Sequence, residues 1–369
     1  MLNEMKYGNI LLFSIPSTLS TGHFNDYFIA NSENLYLFLL PLSTQKPEVK
    51  LFYFHRGMKK SERSFFLYQG GNKIIRYIFF YLYYLYIIIK ILPPKTIVLA
   101  TTPQYCFLSS FFDFLKSIKI VYHVGDYYPH SKGLMKIYQA FIHYYNKRMK
   151  YVVYCSPLLE SLLRTGKKKV DGNRDCWIFG IKKKDIKKAT KCNLLGYIGV
   201  LRNGQGLEII FDALKKNKKL KLEIIGEGPL FQNLKNTVSQ FGLTDRITFW
   251  GLIQEEKKLM AIMRRWQIGL APYDPNLLNM TYYGDPSKVK FYLEYKLPVI
   301  ITKITYLYKE IEKYHAGVTI DYSASSLLEA IKKIQNKYDY YLDGVSFLVD
   351  RYEYNALYDT KFKFFRTIF

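Results

Sequence analysis

Asp285, Pro286, Ser287 and Lys288 stand in a row within Gly269 to Thr302, a segment that also holds two short apolar runs. An Asp-Pro pair suits the N-cap and first turn of a helix, and Ser287 and Lys288 then open that helix at its positive dipole end. A phosphate or pyrophosphate fits such a place. Two glycine turns repeat the theme. Gly199-Val200-Leu201-Arg202-Asn203-Gly204-Gln205-Gly206 links a strand-like run to a helical one, and Gly226-Glu227-Gly228-Pro229 follows the next such run. Backbone amides and the Arg202 guanidinium can meet a phosphate there, although glycine after a strand serves equally as a tight connection. Asp126, in the loop from Tyr122 to Pro129, is a carboxylate at a strand's end and either deprotonates a hydroxyl or holds a turn. His123 reads as core, while His23, after the first strand, is a weaker candidate for the same side. Cys106, Cys155, Cys176 and Cys192 form neither a CxxC pair nor a Cys/His cluster, so no metal and no disulfide is expected, and a reducing cytoplasm fits.

Alternating short and long apolar patterns must position these residues. Ile10 to Ile15, Leu35 to Leu40, Val49 to Phe54, Ile97 to Ala100, Ile118 to His123 and Tyr151 to Tyr154 read as buried parallel strands joined by crossover helices. A polar, lysine-rich stretch marks a linker over residues 176–191. The pattern then restarts with Leu194 to Ile198, Lys221 to Ile225, Arg246 to Trp250, Ile268 to Pro272, Pro298 to Ile301 and Gly317 to Ile320. The fold class is therefore α/β, with two doubly wound Rossmann-like domains over residues 1–175 and 192–345 that face each other across a cleft. Ligands of such sheets sit at the carboxyl ends of the strands.

At 369 residues and 49% hydrophobic content the chain can build two cores. The net charge of +24 attracts nucleic acid, anionic lipid or a polyanionic substrate, yet 35 Tyr and 26 Phe beside abundant Lys also match the drift of an AT-rich genome. Nucleic acid is not expected, because no basic helix with base-reading residues accompanies the charge. Nothing at the N-terminus resembles a signal peptide. Ile74 to Leu92 is apolar on every face except for Arg76 and Lys90, and its uninterrupted part is shorter than the roughly 20 residues that span a bilayer. It reads either as a core-facing crossover helix or as a monotopic contact with an anionic membrane surface.

The second half resembles the GT-B glycosyltransferases, especially the family 4 type acting on surface polysaccharides. Five stretches carry the resemblance in order: YIGVLRNGQGLE from Tyr197, IIGEGP from Ile224, LTDRITFWGLI from Leu243, IGLAPY from Ile268 and DPSKVKFYLEYKLPVI from Asp285. In the first half only the strand order matches. The resemblance implies a nucleotide-diphosphate-sugar donor as substrate, with no separate cofactor. Its base would lie near Trp250 to Ile253, Leu252 included, and its pyrophosphate near Gly199, Arg202, Asn203, the Glu227-Gly228-Pro229 turn, Ser287 and Lys288. The first domain would take a lipid-linked or polysaccharide acceptor, Asp126 would orient or deprotonate it, and residues 346–369 would return to the first domain as a helix. The enzyme would work without metal in the cytoplasm, peripherally on the inner face of the cell membrane.

The chain departs from that family at named positions. Its paired glutamates fall on Tyr283 and Phe291, which leaves Asp285 or Glu294 to meet the ribose, and its usual Arg and Lys of the first glycine turn are Val200 and Gln205. Asp285 as a simple cap stays open, as do a binding protein that transfers nothing and a nucleotide-sugar epimerase.

Overall fold

The computed structural model describes residues 5–14, 23–39, 48–67, 73–110, 112, 116–125, 127–129, 131–164, 174–176, 179–186, 193–277 and 280–369. Two compact units emerge: Met1–Phe179 with Tyr354–Phe369, and Gly180–Glu353. Residues 180–186 and 346–353 thus count with the second unit, not with a linker and a returning segment. The Ile181 N–H donates to the Tyr352 carbonyl at 2.7 Å and ties the two stretches together.

The first unit is built on an eight-stranded sheet in the order β4-β3-β2-β1-β5-β6-β7-β8. Its strands are β1 (Tyr7–Ser14), β2 (Ser32–Leu39), β3 (Glu48–His55), β4 (Met58–Phe66), β5 (Thr96–Ala100), β6 (Lys119–Val124), β7 (Tyr151–Tyr154) and β8 (Arg174–Cys176). From β2 to β8 through β1 the pairing is parallel, but β3 runs antiparallel to β2, and β4 antiparallel to β3. This corrects the expectation that Val49 to Phe54 is a parallel strand. β3 turns into β4 through a two-residue hairpin, Arg56-Gly57, with φ of 46° and 79°, the left-handed pair that matches strand twist. β4 escapes sequence reading because MKKSERSFF is almost wholly exposed and lacks apolar alternation. Glu62 holds it in place by pairing with Lys50 at 2.9 Å and Lys59 at 2.6 Å.

Period-two alternation along β1 sorts its side chains between two faces. Ile10 and Leu12 enter a core with Phe24, Phe28 and Phe362, so the C-terminal helix Tyr354–Lys361 and the turn after it complete this unit. Phe362 stacks on Phe28 at 4.9 Å, and Asp359 accepts a hydrogen bond from the Tyr27 hydroxyl at 2.6 Å. Phe13 points the other way, stacking on Tyr105 at 3.8 Å and meeting Tyr84 edge-on at 5.0 Å. Those rings belong to helices Pro103–Ser110 and Lys73–Tyr86, the latter continuing as a π-helical turn, Ile87–Ile91. The Lys116 ammonium donates to the carbonyls of Ile89 at 2.7 Å and Leu92 at 2.9 Å, closing that helix end. Among the described residues no helix is long and apolar enough to cross a membrane.

His123 lies on β6 and is buried, as its place in the strand pattern implies, edge-on to Phe24 at 6.0 Å. Desolvation pushes its imidazole down to about 4. The unfolded chain, with an ordinary value of about 6.5, therefore takes up the proton first, and stability falls as pH drops through that window. Urea unfolding should show a loss of about 3 kcal/mol between about pH 7 and pH 4 that His123→Gln lacks.

The second unit carries a fully parallel six-stranded sheet in the order β11-β10-β9-β12-β13-β14. Its strands are β9 (Leu194–Ile198), β10 (Lys221–Ile225), β11 (Ile247–Gly251), β12 (Ile268–Ala271), β13 (Val299–Thr302) and β14 (Gly317–Ile320). Helix Leu207–Lys216 buries Leu207, Ile210, Phe211 and Leu214, the i, i+3, i+4, i+7 stripe of an amphipathic helix. It packs on Leu327, Ile331 and Ile334 of helix Ala324–Asn336, whose first turn is capped by Ser323 Oγ accepting from the Ser326 N–H at 3.2 Å. Chain order reverses between β9 and β12. The loops after these two strands depart in opposite directions and open a crevice at their carboxyl ends, the topological switch point.

Candidate functional site

The glycine turns line that switch point. The Gly199 N–H donates to the Ile225 carbonyl at 3.0 Å and the Leu201 N–H to the Glu227 carbonyl at 2.9 Å, so the turns after β9 and β10 are joined backbone to backbone. Only glycine fits at Gly226. Its φ is 133°, and a Cβ there would overlap the Gly199 carbonyl. Gly206 closes the first turn against Pro272, which follows β12, and any side chain at Gly206 would strike the Pro272 carbonyl. Gly199, Asn203, Gly228 and Pro229 thus belong to one backbone rim at the ends of β9 and β10. Glu227 is exposed and its carboxylate lies beside Gly251 at the end of β11, next to the exposed Leu252.

Lys288 reaches into this rim from helix Ser287–Glu294, which follows the β12 loop. Its ammonium donates to Gln205 Oε1 at 2.6 Å and to the Tyr197 hydroxyl at 3.0 Å, and sits 4.2 Å above the Tyr197 ring. Tyr273 adds a second ring at 5.0 Å. Lys288 is therefore not a solvated surface lysine. Burial pushes its pKa well below the ordinary lysine value, and the Arg202 charge pushes it further. Arg202 itself donates to Thr281 Oγ1 at 3.2 Å. A buried ammonium held down by its own burial and by the Arg202 charge is poised for an anion, because a bound phosphate would favour its charged form.

The residue pattern alone does not single out Tyr197, Gln205 or Tyr273 as site residues. A signal exists for Tyr197: it is the penultimate residue of β9, just before the glycines, and a hydroxyl there must find a partner once buried. Gln205 stands at the position of the family's lysine, and it receives the Lys288 ammonium from another element.

Asp285 differs from both roles read from the sequence. The N-cap position is Pro286, with no side-chain cap bond. The Asp285 carboxylate is fully buried, accepts from Lys290 Nζ at 2.6 Å through Oδ2 and from the Tyr306 hydroxyl at 2.9 Å through Oδ1. It is a clamp between the helix start and the segment after β13. Glu294 is likewise buried, paired with Lys184 at 2.9 Å. Burial works against the Lys184 charge, but Glu294 and the bonds to Glu256 and Tyr295 outweigh it and raise its pKa. Phe291, at a position where the family has glutamate, is buried against Tyr295 at 4.9 Å. Neither carboxylate of this helix region is presented to a ligand.

In the first unit, Asp126 lies outside the described residues. The loop around it is anchored by Cys155 Sγ donating to the Gly125 carbonyl at 3.2 Å and by the Tyr128 N–H donating to Gln139 Oε1 at 3.1 Å. His23 opens helix Phe24–Asn31 with φ of 66°, faces Asp26 at 3.4 Å and packs on Tyr354 at 5.3 Å. Among the described residues no group of three or more His, Cys, Asp or Glu could hold a metal ion.

Two doubly wound α/β units, the second with the 3-2-1-4-5-6 strand order and a cation-lined switch point, define a GT-B glycosyltransferase fold. Residues 179–343 match the family model described as glycosyl transferases group 1. Over its whole length the fold is similar to sucrose-phosphate synthase from Thermosynechococcus elongatus, at TM-score 0.69 and 14% identity, covering 98% of this chain and 99% of that one. The catalytic domain of starch synthase IV from Arabidopsis thaliana, bound to ADP and acarbose, aligns at TM-score 0.67 and 11% identity over 99% and 100% of the chains. HepE from Anabaena, in complex with UDP and glucose, gives 0.64 and 12% over 97% and 98%. No curated protein matches the sequence.

Proposed function

We propose that the protein transfers a sugar from a nucleotide-diphosphate sugar to a lipid-linked or polysaccharide acceptor in cell-surface glycan synthesis, without metal, on the cytoplasmic face of the membrane. The observation that carries this reading is Lys288, desolvated beside Arg202 at the switch point of a group 1 glycosyl transferase unit. A pyrophosphate leaving group gains negative charge as the glycosidic bond breaks, and these two cations with the helix start at Ser287 stabilise that charge. Similar folds solved with UDP or ADP support a nucleoside diphosphate as the bound moiety. Asp126, from the first unit, is the residue assigned to the acceptor hydroxyl.

A second reading, a binding protein that transfers nothing, draws on Phe291 and Glu294, which leave this helix without a carboxylate facing the donor. Turnover on a panel of nucleotide sugars separates the two. Asp126→Asn should lower turnover by about 10²-fold or more while nucleoside diphosphate affinity is kept. A wild type that binds nucleotide sugars and turns over none of them supports the binding protein instead.

A further inference from the structure

One face of the first unit carries three helices side by side. Tyr84 of helix Lys73–Tyr86 hydrogen-bonds to Ser109 of helix Pro103–Ser110, which in turn packs on helix Leu134–Arg148. The inner side of the last helix is a narrow buried stripe of Gln139, Ile142, Tyr145 and Asn146. Its outer side is apolar too. Leu134, Ile137, Phe141 and Tyr144, spaced three and four apart, form one ridge, with Leu134 83% exposed. Ile78 and Leu82 are exposed on the first helix, Ile89 on the π-helical turn that continues it, and Phe107 on the helix between.

The charge around these ridges has a single sign. No Asp or Glu occurs from Arg63 to Phe112 or from Tyr127 to Leu159. Lys132 and Lys136 flank the start of the ridge, Lys147 and Arg148 its end, and all four are exposed. Apolar side chains ringed by cations on neighbouring helices fit a broad, apolar and anionic partner. A second copy of this chain would set cation against cation. An anionic bilayer satisfies both features, with the apolar ridges entering the acyl boundary and the lysines meeting phosphate headgroups.

We infer that the face formed by helices Lys73–Tyr86 and Leu134–Arg148 docks on an anionic lipid bilayer, with the Leu134 to Tyr144 ridge inserted. The inference deepens the proposed function and rests on its lipid-linked form, since a chain seated this way meets an acceptor in the membrane plane. The test is co-sedimentation of the full chain with phosphatidylglycerol vesicles and with phosphatidylcholine vesicles. Wild type should bind the former, weakening with salt, and the double variant Ile137→Glu/Phe141→Glu should bind about tenfold or more weakly, with Met260→Glu on the other unit unchanged. Leu134→Glu alone, at a site too exposed to affect folding, should move binding in the same direction. Wild type that ignores phosphatidylglycerol, or glutamate variants that sediment like wild type, would overturn the inference. So would a dimer in sedimentation velocity that the double variant dissolves, which gives the face to a second copy. Nucleoside diphosphate binding without vesicles tests the donor reading separately, and the double variant should retain it.

Discussion

Lys288→Ala should lower kcat/KM for the donor by about 10²–10³-fold, the loss typical of removing one preorganised group that stabilises charge in the transition state. Two effects combine in that number. The ammonium is lost from the switch point, and Gln205 Oε1 and the Tyr197 hydroxyl lose their donor at 2.6 and 3.0 Å. Lys288→Arg should recover little, because the space between the Tyr197 and Tyr273 rings is shaped for a compact ammonium. The same environment fixes a proton signature. In the free protein, burial first and Arg202 second hold the Lys288 pKa down, whereas a bound pyrophosphate favours the charged form and raises it. Binding should therefore take up a proton, and affinity should weaken as pH rises through the range between the two values. Calorimetry in buffers of different ionisation enthalpy reads the uptake directly, and Lys288→Ala should abolish it. For the ligand-free fold the sign is opposite in kind: the unfolded chain binds the proton more tightly, so this residue makes stability rise with pH towards the ordinary lysine value.

Asp285→Ala should destabilise the second unit by about 3–5 kcal/mol, the cost of leaving a buried ammonium without its partner. Lys290 has a side chain 4% exposed and pairs with a carboxylate that is 0% exposed, so water cannot replace the lost charge. Tyr306 would also lose its acceptor. The double variant Asp285→Ala/Lys290→Met should recover most of the loss, since an apolar pair of similar volume leaves no buried charge. Chemical unfolding of the wild type, both single variants and the double closes the cycle. Had Asp285 been a helix cap, its removal would cost about 1 kcal/mol and Lys290→Met would restore nothing. The size of the effect therefore separates the clamp from the cap.

The second unit was legible because its strands are short apolar runs and its turns contain glycines that sterics demand, as at Gly226 and Gly206. Those constraints are local and leave a mark in the sequence. Partner choice is not local. Nothing near Asp285 announces Lys290 and Tyr306 over a helix cap, and nothing near Glu294 announces Lys184, which lies 110 positions away along the chain. Lys288 was legible as a cation at a helix start, but its burial depends on Tyr197 and Gln205 from the far side of the crevice. In the first unit the hairpin β3-β4 was hidden for a different reason. An edge strand exposed on both faces carries no periodicity, and MKKSERSFF reads as a polar loop until Glu62 is seen to join Lys50 and Lys59.

The central claim is that the switch point of the second unit holds the pyrophosphate of a nucleotide sugar on Lys288 and Arg202. Titrating the full chain calorimetrically with UDP and with ADP tests it most directly. At least one of them should bind with proton uptake, and Lys288→Ala should lose both the affinity and the uptake. Binding of neither nucleotide, or binding that Lys288→Ala leaves unchanged, would contradict it.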